Sequence, residues 1–184
     1  MSMSARRQFL RERTGPIHQR LDECVGTFSD IPAYLRYIRG MLGFRRPIET
    51  QLASTRLPAQ FGNFTPNYLA DALERDLAAL GASPAATARS EAQPMSNLCA
   101  DRLLGTLYVL EGSTLGARLL VRRAAALGLH AGNGAEHLQK QSSDLGNWNA
   151  FAALLDSARE VDDETMAQAA LATFAHALDA FEKA

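Results

Sequence analysis

Apolar residues recur along the chain at three- and four-residue spacing, and strict alternation is absent throughout. The pattern therefore predicts helices and no strands. A first helix is expected from about Ser4 to Cys24, with Phe9, Leu10, Ile17 and Leu21 on its apolar side. Pro16 lies inside it, and an interior proline costs about 3 kcal/mol. The Gly15-Pro16 pair is therefore expected to bend or split this helix. Asp30 before Ile31-Pro32 fits an N-cap followed by proline in the first turn. The helix it opens carries Tyr34, Ile38, Met41 and Leu42 and runs toward Leu52, with a kink expected at Pro47. Residues 53–66 are loop-like. A short helix from Asn67 carries Leu69, Leu73, Leu77 and Leu80 and closes at Gly81. After a loop at 81–94, a long helix is expected from about Met95 to Leu127, closed by Gly128. Residues 128–146 are polar, glycine-bearing and weakly periodic, which predicts a loop. A helix from about Trp148 to Ala158 follows. The last helix, capped by Asp162 or Asp163, carries Met166, Ala170, Phe174, Leu178 and Phe181. The fold class expected is all-α, with six or seven helices.

The chain has 184 residues, the length of one domain, here 1–184, with enough chain to bury a core unaided. Hydrophobic residues make up 47%, charged residues 21%, and mean hydropathy is −0.14. These values fit a soluble globular protein. Cys24 and Cys99 are too few for a disulfide framework, which points to a reducing compartment. A net charge of −1 and a pI near 6.4 argue against nucleic acid as a partner. No apolar run approaches the ~20 residues of a membrane span, and the N-terminus lacks the apolar core of a secretory signal. A cytoplasmic location is the expectation. Charge is uneven. Residues 1–50 hold nine arginines against five acids, and residues 51–184 ten basic residues against fifteen acids. Either this is ordinary surface variation or the N-terminal third meets something anionic.

Gly105, Gly112 and Gly116 fall inside the expected long helix, where each costs about 1 kcal/mol relative to alanine. Spacings of seven and four put them on one face. Such a bare face suits either a closely packed helix or a flat, bulky ligand. Of the four histidines, His176 sits in the last amphipathic helix, and His130 and His137 flank a glycine-rich loop. No metal-site spacing accompanies them. His18 differs, because Asp22 lies one turn later and Arg11 and Thr14 share its side of the helix. A carboxylate there can accept from Nδ1–H and leave Nε2 for a metal, although a structural histidine is also open. No di-iron Glu-x-x-His, HExxH, P-loop or nucleophile elbow is present. One planar ligand would use both features: haem, with the imidazole on one side, bare glycines on the other, and a guanidinium near a propionate.

The segment LRERTGPIHQRLDE, Leu10 to Glu23, resembles the proximal helix of haem oxygenases. LLGTLYVLEGSTLGARLL, Leu103 to Leu120, resembles the distal helix of bacterial members, especially those associated with bacteriophytochromes, and YVLEGSTLG is its most specific part. Weaker similarity continues through DLAALG, WNAFAALLD and TFAHAL, in the expected order. The resemblance implies an all-α fold with haem between proximal and distal helices. It implies His18 as axial ligand, Asp22 in place of the usual longer glutamate that orients it, and Arg11 beside a propionate. Thr14, Ile17 and Leu21 would pack on the proximal face, and Tyr108 would also contact the haem. Gly112 and Gly116 would approach from the distal side, with Ser113 holding ordered water where other members carry aspartate. Three departures stand out. Ala117 replaces a frequent glycine, and GAEHLQKQ at 134–141 differs from the aromatic, arginine-containing version. The basic propionate pair falls near Leu145 and Asn149, leaving Lys140, Arg118 or Arg122 as candidate substitutes.

The activity implied is cleavage of haem with O2 to biliverdin, CO and ferrous iron, haem being substrate and cofactor together. The chain carries no flavin or nicotinamide fingerprint. Electrons would come from an external donor such as ferredoxin or flavodoxin, docked on Arg6, Arg7, Arg11 and Arg13. A bacteriophytochrome is a candidate client for the biliverdin. Two other functions stay open on sequence: a haem carrier or sensor without turnover, and a haem-free helical protein that binds a protein partner.

Overall fold

The computed structural model of the chain describes residues 4–83, 99–143 and 145–184. Its helices are α1 (Ala5–Val25), α2 (Ile31–Ala53), α3 (Ala70–Ala79), α4 (Ala100–Gly112), α5 (Thr114–Ala126), α6 (Glu136–Ser143), α7 (Leu145–Ser157) and α8 (Asp163–Glu182), with a 3-10 turn at Ala59–Phe61. Among the described residues there is no strand, only isolated bridges from His130 to Asn133 and Gly134. The loop expected at 81–94 and the start of a helix at Met95 fall largely outside the described residues.

Helix α8 is the hub and packs against α1, α2 and α4. Close approach is possible because its inward positions include Ala167, Ala170, Ala177 and Ala180, all buried. The facing helices contribute glycine where backbones meet. A Cβ at Gly105 of α4 would lie 2.1 Å from the Met166 carbonyl, and one at Gly40 of α2 would lie 2.4 Å from the Phe181 ring. Gly105 is thus a helix-packing glycine. A Cβ on Gly116 would meet nothing within 4 Å among the described residues. The glycine face seen in the sequence serves packing at one end and leaves open space at the other.

Local capping explains three helix starts. Ser4, Asp30 and Asp162 accept from Arg7, Ala33 and Glu164 backbone N–H groups. Two other helices are capped from elsewhere in the chain. Glu49 of α2 accepts from Leu69 N and Ala70 N at 3.0 and 2.8 Å, so α3 starts at Ala70 rather than Asn67. Asp76 of α3 accepts from Glu136 N and His137 N at 2.7 and 2.9 Å, and holds His137 Nδ1 at 2.6 Å. Burial lowers the proton affinity of His137, so its neutral ring donates Nδ1–H to Asp76. This pins α6, where a loop was expected. Its buried face is His137, Leu138 and Gln141, and two polar residues in three hide the helical period. Gly81, at φ +67°, closes α3, with Ala82 N bonded back to Leu77 O at 2.9 Å.

A split of α1 at Pro16 and an unbroken helix to Leu127 are corrected. Pro16 leaves α1 unbroken. It sits on the exposed side, where water can take the carbonyl it frees. Pro47 likewise lies inside a continuous α2. The helix expected through Leu127 is interrupted at Ser113. The charge asymmetry is also largely internal. Arg6 pairs with Asp163 and Arg7 with Asp156, each at 2.8 Å, and Arg13 pairs with Glu164. The basic N-terminal helix is neutralised by acids of α7 and α8, so Arg6, Arg7 and Arg13 do not form a free cationic face.

Substituting the two glycines separates their roles. Gly105→Ala is expected to destabilise by about 1–3 kcal/mol through overpacking against α8. Gly116→Ala is expected to be neutral or stabilising by up to about 1 kcal/mol. Urea unfolding midpoints check both, and equal midpoints for the two variants would contradict this division.

Candidate functional site

The site depends on how α4 gives way to α5. Gly112 and Ser113 are weak helix formers, and serine competes for backbone groups. Ser113 Oγ donates to Leu110 O at 2.6 Å. The same carbonyl accepts from Arg45 Nη2 at 2.9 Å. Arg45, 1% exposed, also donates through Nη2 to Ser113 Oγ at 2.9 Å, and through Nη1 to Asn67 O and Glu49 Oε1 at 3.1 and 3.3 Å. Glu111, equally buried, accepts from Asn67 N and from Asn147 Nδ2, each at 2.9 Å. Burial lowers the proton affinity of Arg45, while Glu49 and Glu111 oppose that shift. This buried cluster fixes the interruption of the helix.

Below the interruption lies a cavity of about 560 Å³, inside the ~300–1,000 Å³ range of small-molecule sites. Its walls come from α1, α2, α4, α5, α6, α7 and α8. His18 reaches it from α1, with its ring centroid 5.2 Å from that of Phe174 on α8. Gly112, Ser113 and Gly116 face it from the interrupted helix, and Trp148 of α7 comes within 3.6 Å of a Cβ built on Gly112. Arg7 and Arg11 stand on the same side of α1 as His18. Arg7 is paired with Asp156, while Arg11 has no carboxylate partner among the described residues. Tyr108 also lines the cavity. Burial pushes its phenol up, against the Thr14 hydroxyl and the Arg11 charge.

The sequence-predicted residues Arg11, His18, Leu21, Asp22, Tyr108, Gly112, Ser113 and Gly116 thus meet around one cavity. Thr14 and Ile17 do not reach its wall. Thr14 is buried, with its hydroxyl turned back to Leu10 O at 2.8 Å and against Tyr108. Ile17 is turned about 100° around α1 from His18 and packs into the core. Asp22 does not accept from His18 Nδ1 as expected. Its carboxylate stands 3.7 Å from Nε2, too far for a hydrogen bond. Aspartate is one methylene short, and both side chains are more than half exposed. Ser113 has no hydrogen-bonding capacity left for water, since it also accepts from Gln141 Nε2 at 2.7 Å. Lys140 is engaged with Tyr68 O at 2.7 Å, and neither it, Arg118, Arg122, Leu145 nor Asn149 lines the cavity. Arg7 is instead the second cation there.

These residues fit haem. The wall is mainly apolar, one imidazole reaches in from one side, bare backbone lies at Gly116, and guanidinium groups stand where carboxylates could be met. The Heme oxygenase family description matches residues 5–183. The chain belongs to the haem oxygenase family. Within that family it is 31% identical over 163 residues to heme oxygenase PigA of Pseudomonas aeruginosa, covering 86% of this chain and 81% of that protein. Its fold is shared with the NO- and CO-bound heme oxygenase from Neisseria meningitidis. The TM-score is 0.69 at 22% identity, over 95% of this chain and 89% of the other. Among the described residues, no cluster of three or more histidine, cysteine or acidic side chains could hold a metal ion, and no helix is long and apolar enough to cross a membrane.

Sequence reasoning missed Arg45, Gln141, Trp148 and Phe174. An arginine four residues before a glutamate inside an apolar helix was the available signal for the first. Arg45→Met is expected to cost about 3–5 kcal/mol, because Glu49 stays buried without its partner. The double variant with Glu49→Gln is expected to recover part of that loss in urea unfolding. Strict additivity of the two changes would contradict the pairing.

Proposed function

We propose that the cavity between α1 and the interrupted α4–α5 helix is where this haem oxygenase holds its substrate. The enzyme degrades haem to biliverdin, CO and iron. One observation carries the assignment of the site: His18 and the unobstructed backbone of Gly116 line a single apolar cavity. Bound haem supplies the iron that takes up O2 and the ring that is cleaved.

The chain's own residues do the rest. His18 would hold the haem iron through its imidazole, a ligand type that suits O2 chemistry. To present Nε2, its exposed ring turns away from Asp22, which acts as a nearby negative charge rather than a bonded orienter. Arg11 and Arg7 meet the propionates. Arg7 is the more rigid of the two, because Asp156 holds it through two nitrogens at 3.0 and 2.8 Å. Leu21, Phe174 and Trp148 exclude bulk water. Gly112 and Gly116 place backbone where a side chain would block the ring. Electrons come from an external donor, a ferredoxin or flavodoxin. Because Arg6, Arg7 and Arg13 are paired internally and Arg11 meets a propionate, these four arginines are not the surface that receives an acidic donor. Biliverdin is passed to a client such as a bacteriophytochrome, and the chain works in the cytoplasm as one domain. Family membership favours turnover over a passive carrier or a haem-free role.

Hemin titration of wild type, His18→Ala and Gly116→Leu tests the site. Wild type is expected to give a saturating Soret band at one equivalent with an imidazole-ligated spectrum. His18→Ala should lose that signature while keeping its far-ultraviolet helical spectrum, and Gly116→Leu should bind at least about tenfold more weakly by steric exclusion. Wild-type spectra from both variants would move the site elsewhere.

A further inference from the structure

Helix α5 has an outer face that no other element covers. Leu115 and Leu119 are 57% and 53% exposed, more than any other large apolar side chain among the described residues. They lie four apart and so stand together on one face. Arg118 and Arg122, both exposed, share that face at helical spacing. Neither arginine is in an ion pair among the described residues. Between Glu111 and Glu136 the chain has three arginines and no acid. The third, Arg123, stands in the last turn of α5, where it offsets the negative end of the helix. Adjacent exposed leucines flanked by unneutralised cations mark an interaction surface rather than ordinary surface scatter. The same helix borders the cavity, because Leu115, Gly116 and Leu120 line it. The outer face therefore lies within about one helix diameter, 10–12 Å, of what the cavity holds.

We infer that the outer face of α5 is where an acidic one-electron carrier protein, a ferredoxin or flavodoxin, docks to reduce the bound haem. This rests on the function proposed above and gives its electron donor a place. In the first encounter one electron leaves the reduced carrier, which is oxidised, and takes the ferric haem iron to ferrous. Charge selects the occupant. Arg118 and Arg122 attract carboxylates of the carrier and steer its approach. Leu115 and Leu119 supply the small apolar contact of a short-lived redox encounter. A second copy of this chain is a poor fit, because a two-fold contact through this face sets Arg118 and Arg122 against their own counterparts. Helix α1 offers no rival surface, since acids of α7 and α8 already answer Arg6, Arg7 and Arg13.

The test titrates a purified acidic [2Fe–2S] ferredoxin and a flavodoxin, separately, into the haem-free and the hemin-loaded protein. Wild type is compared with the double variant Arg118→Glu/Arg122→Glu, with Leu119→Ser, and with Arg13→Glu as a charge-matched control. Wild type is expected to bind at least one carrier, with a Kd that rises with salt. The double variant should bind about tenfold more weakly or worse and lose most of that salt dependence. Leu119→Ser should weaken binding about fivefold and keep the salt dependence. Arg13→Glu should stay within about twofold of wild type. Hemin binding and turnover driven by ascorbate should be unchanged in the double variant, while turnover driven by the reduced carrier shows a raised KM for the carrier. Wild type binding neither carrier, or a double variant that binds as wild type does, overturns the inference. So does an equal loss from Arg13→Glu, which would make the effect one of net charge alone. A wild type without turnover under either reductant would instead overturn the function, and the haem-free titrations would still report on the face separately.

Discussion

The guanidinium of Arg45 is the interaction on which this architecture turns. It is almost wholly buried, and it bonds to α2, to the segment before α3 and to the last turn of α4. A charge taken out of water is costly unless paired and hydrogen-bonded, and both Nη groups of Arg45 are, while its Nε has no partner among the described residues. Glu49 and Glu111 supply the negative charge, and each also accepts from a backbone N–H before or at the start of α3. One polar cluster therefore joins three helices and sets where α4 stops. Leu110 O and Ser113 Oγ are both bound to Arg45, so the interruption falls at Ser113 rather than elsewhere along a glycine-rich stretch.

That placement gives the glycines two roles. Gly105 lies before the interruption and lets α4 touch the Met166 backbone of α8. Gly116 lies after it, with nothing within reach of a Cβ. Close packing and cavity space are thus built from the same residue type on one face. The alanine-rich side of α8 has the matching role, since small side chains there hold α1 and α4 close enough for His18 and Gly112 to share a cavity.

Much of this was legible in the sequence, and the illegible parts share a cause. Asp30 and Asp162 cap helices that follow them directly, so local pattern placed α2 and α8. The start of α3 and the existence of α6 depend on Glu49 and Asp76, which cap across 20 and 60 residues, and no local pattern encodes that. Pro16 misled because α1 continues through it, held on both sides of the proline by packing against α8. The charge asymmetry misled because Arg6, Arg7 and Arg13 answer acids about 150 residues away. Of the cavity wall, His18, Arg11, Gly112 and Gly116 were singled out by spacing and resemblance. Gln141 was not, because a buried polar residue carries no periodicity, and Arg45 left only its spacing to Glu49 as a signal.

The measurement that bears most directly on the whole is single-turnover absorbance of the hemin complex, with reductant, air and catalase present. Decay of the Soret band with matching growth of far-red biliverdin absorbance is expected, with CO released in step. A Soret band that forms and then persists through reduction and oxygenation would contradict the enzyme function and leave a haem-binding protein on the same scaffold.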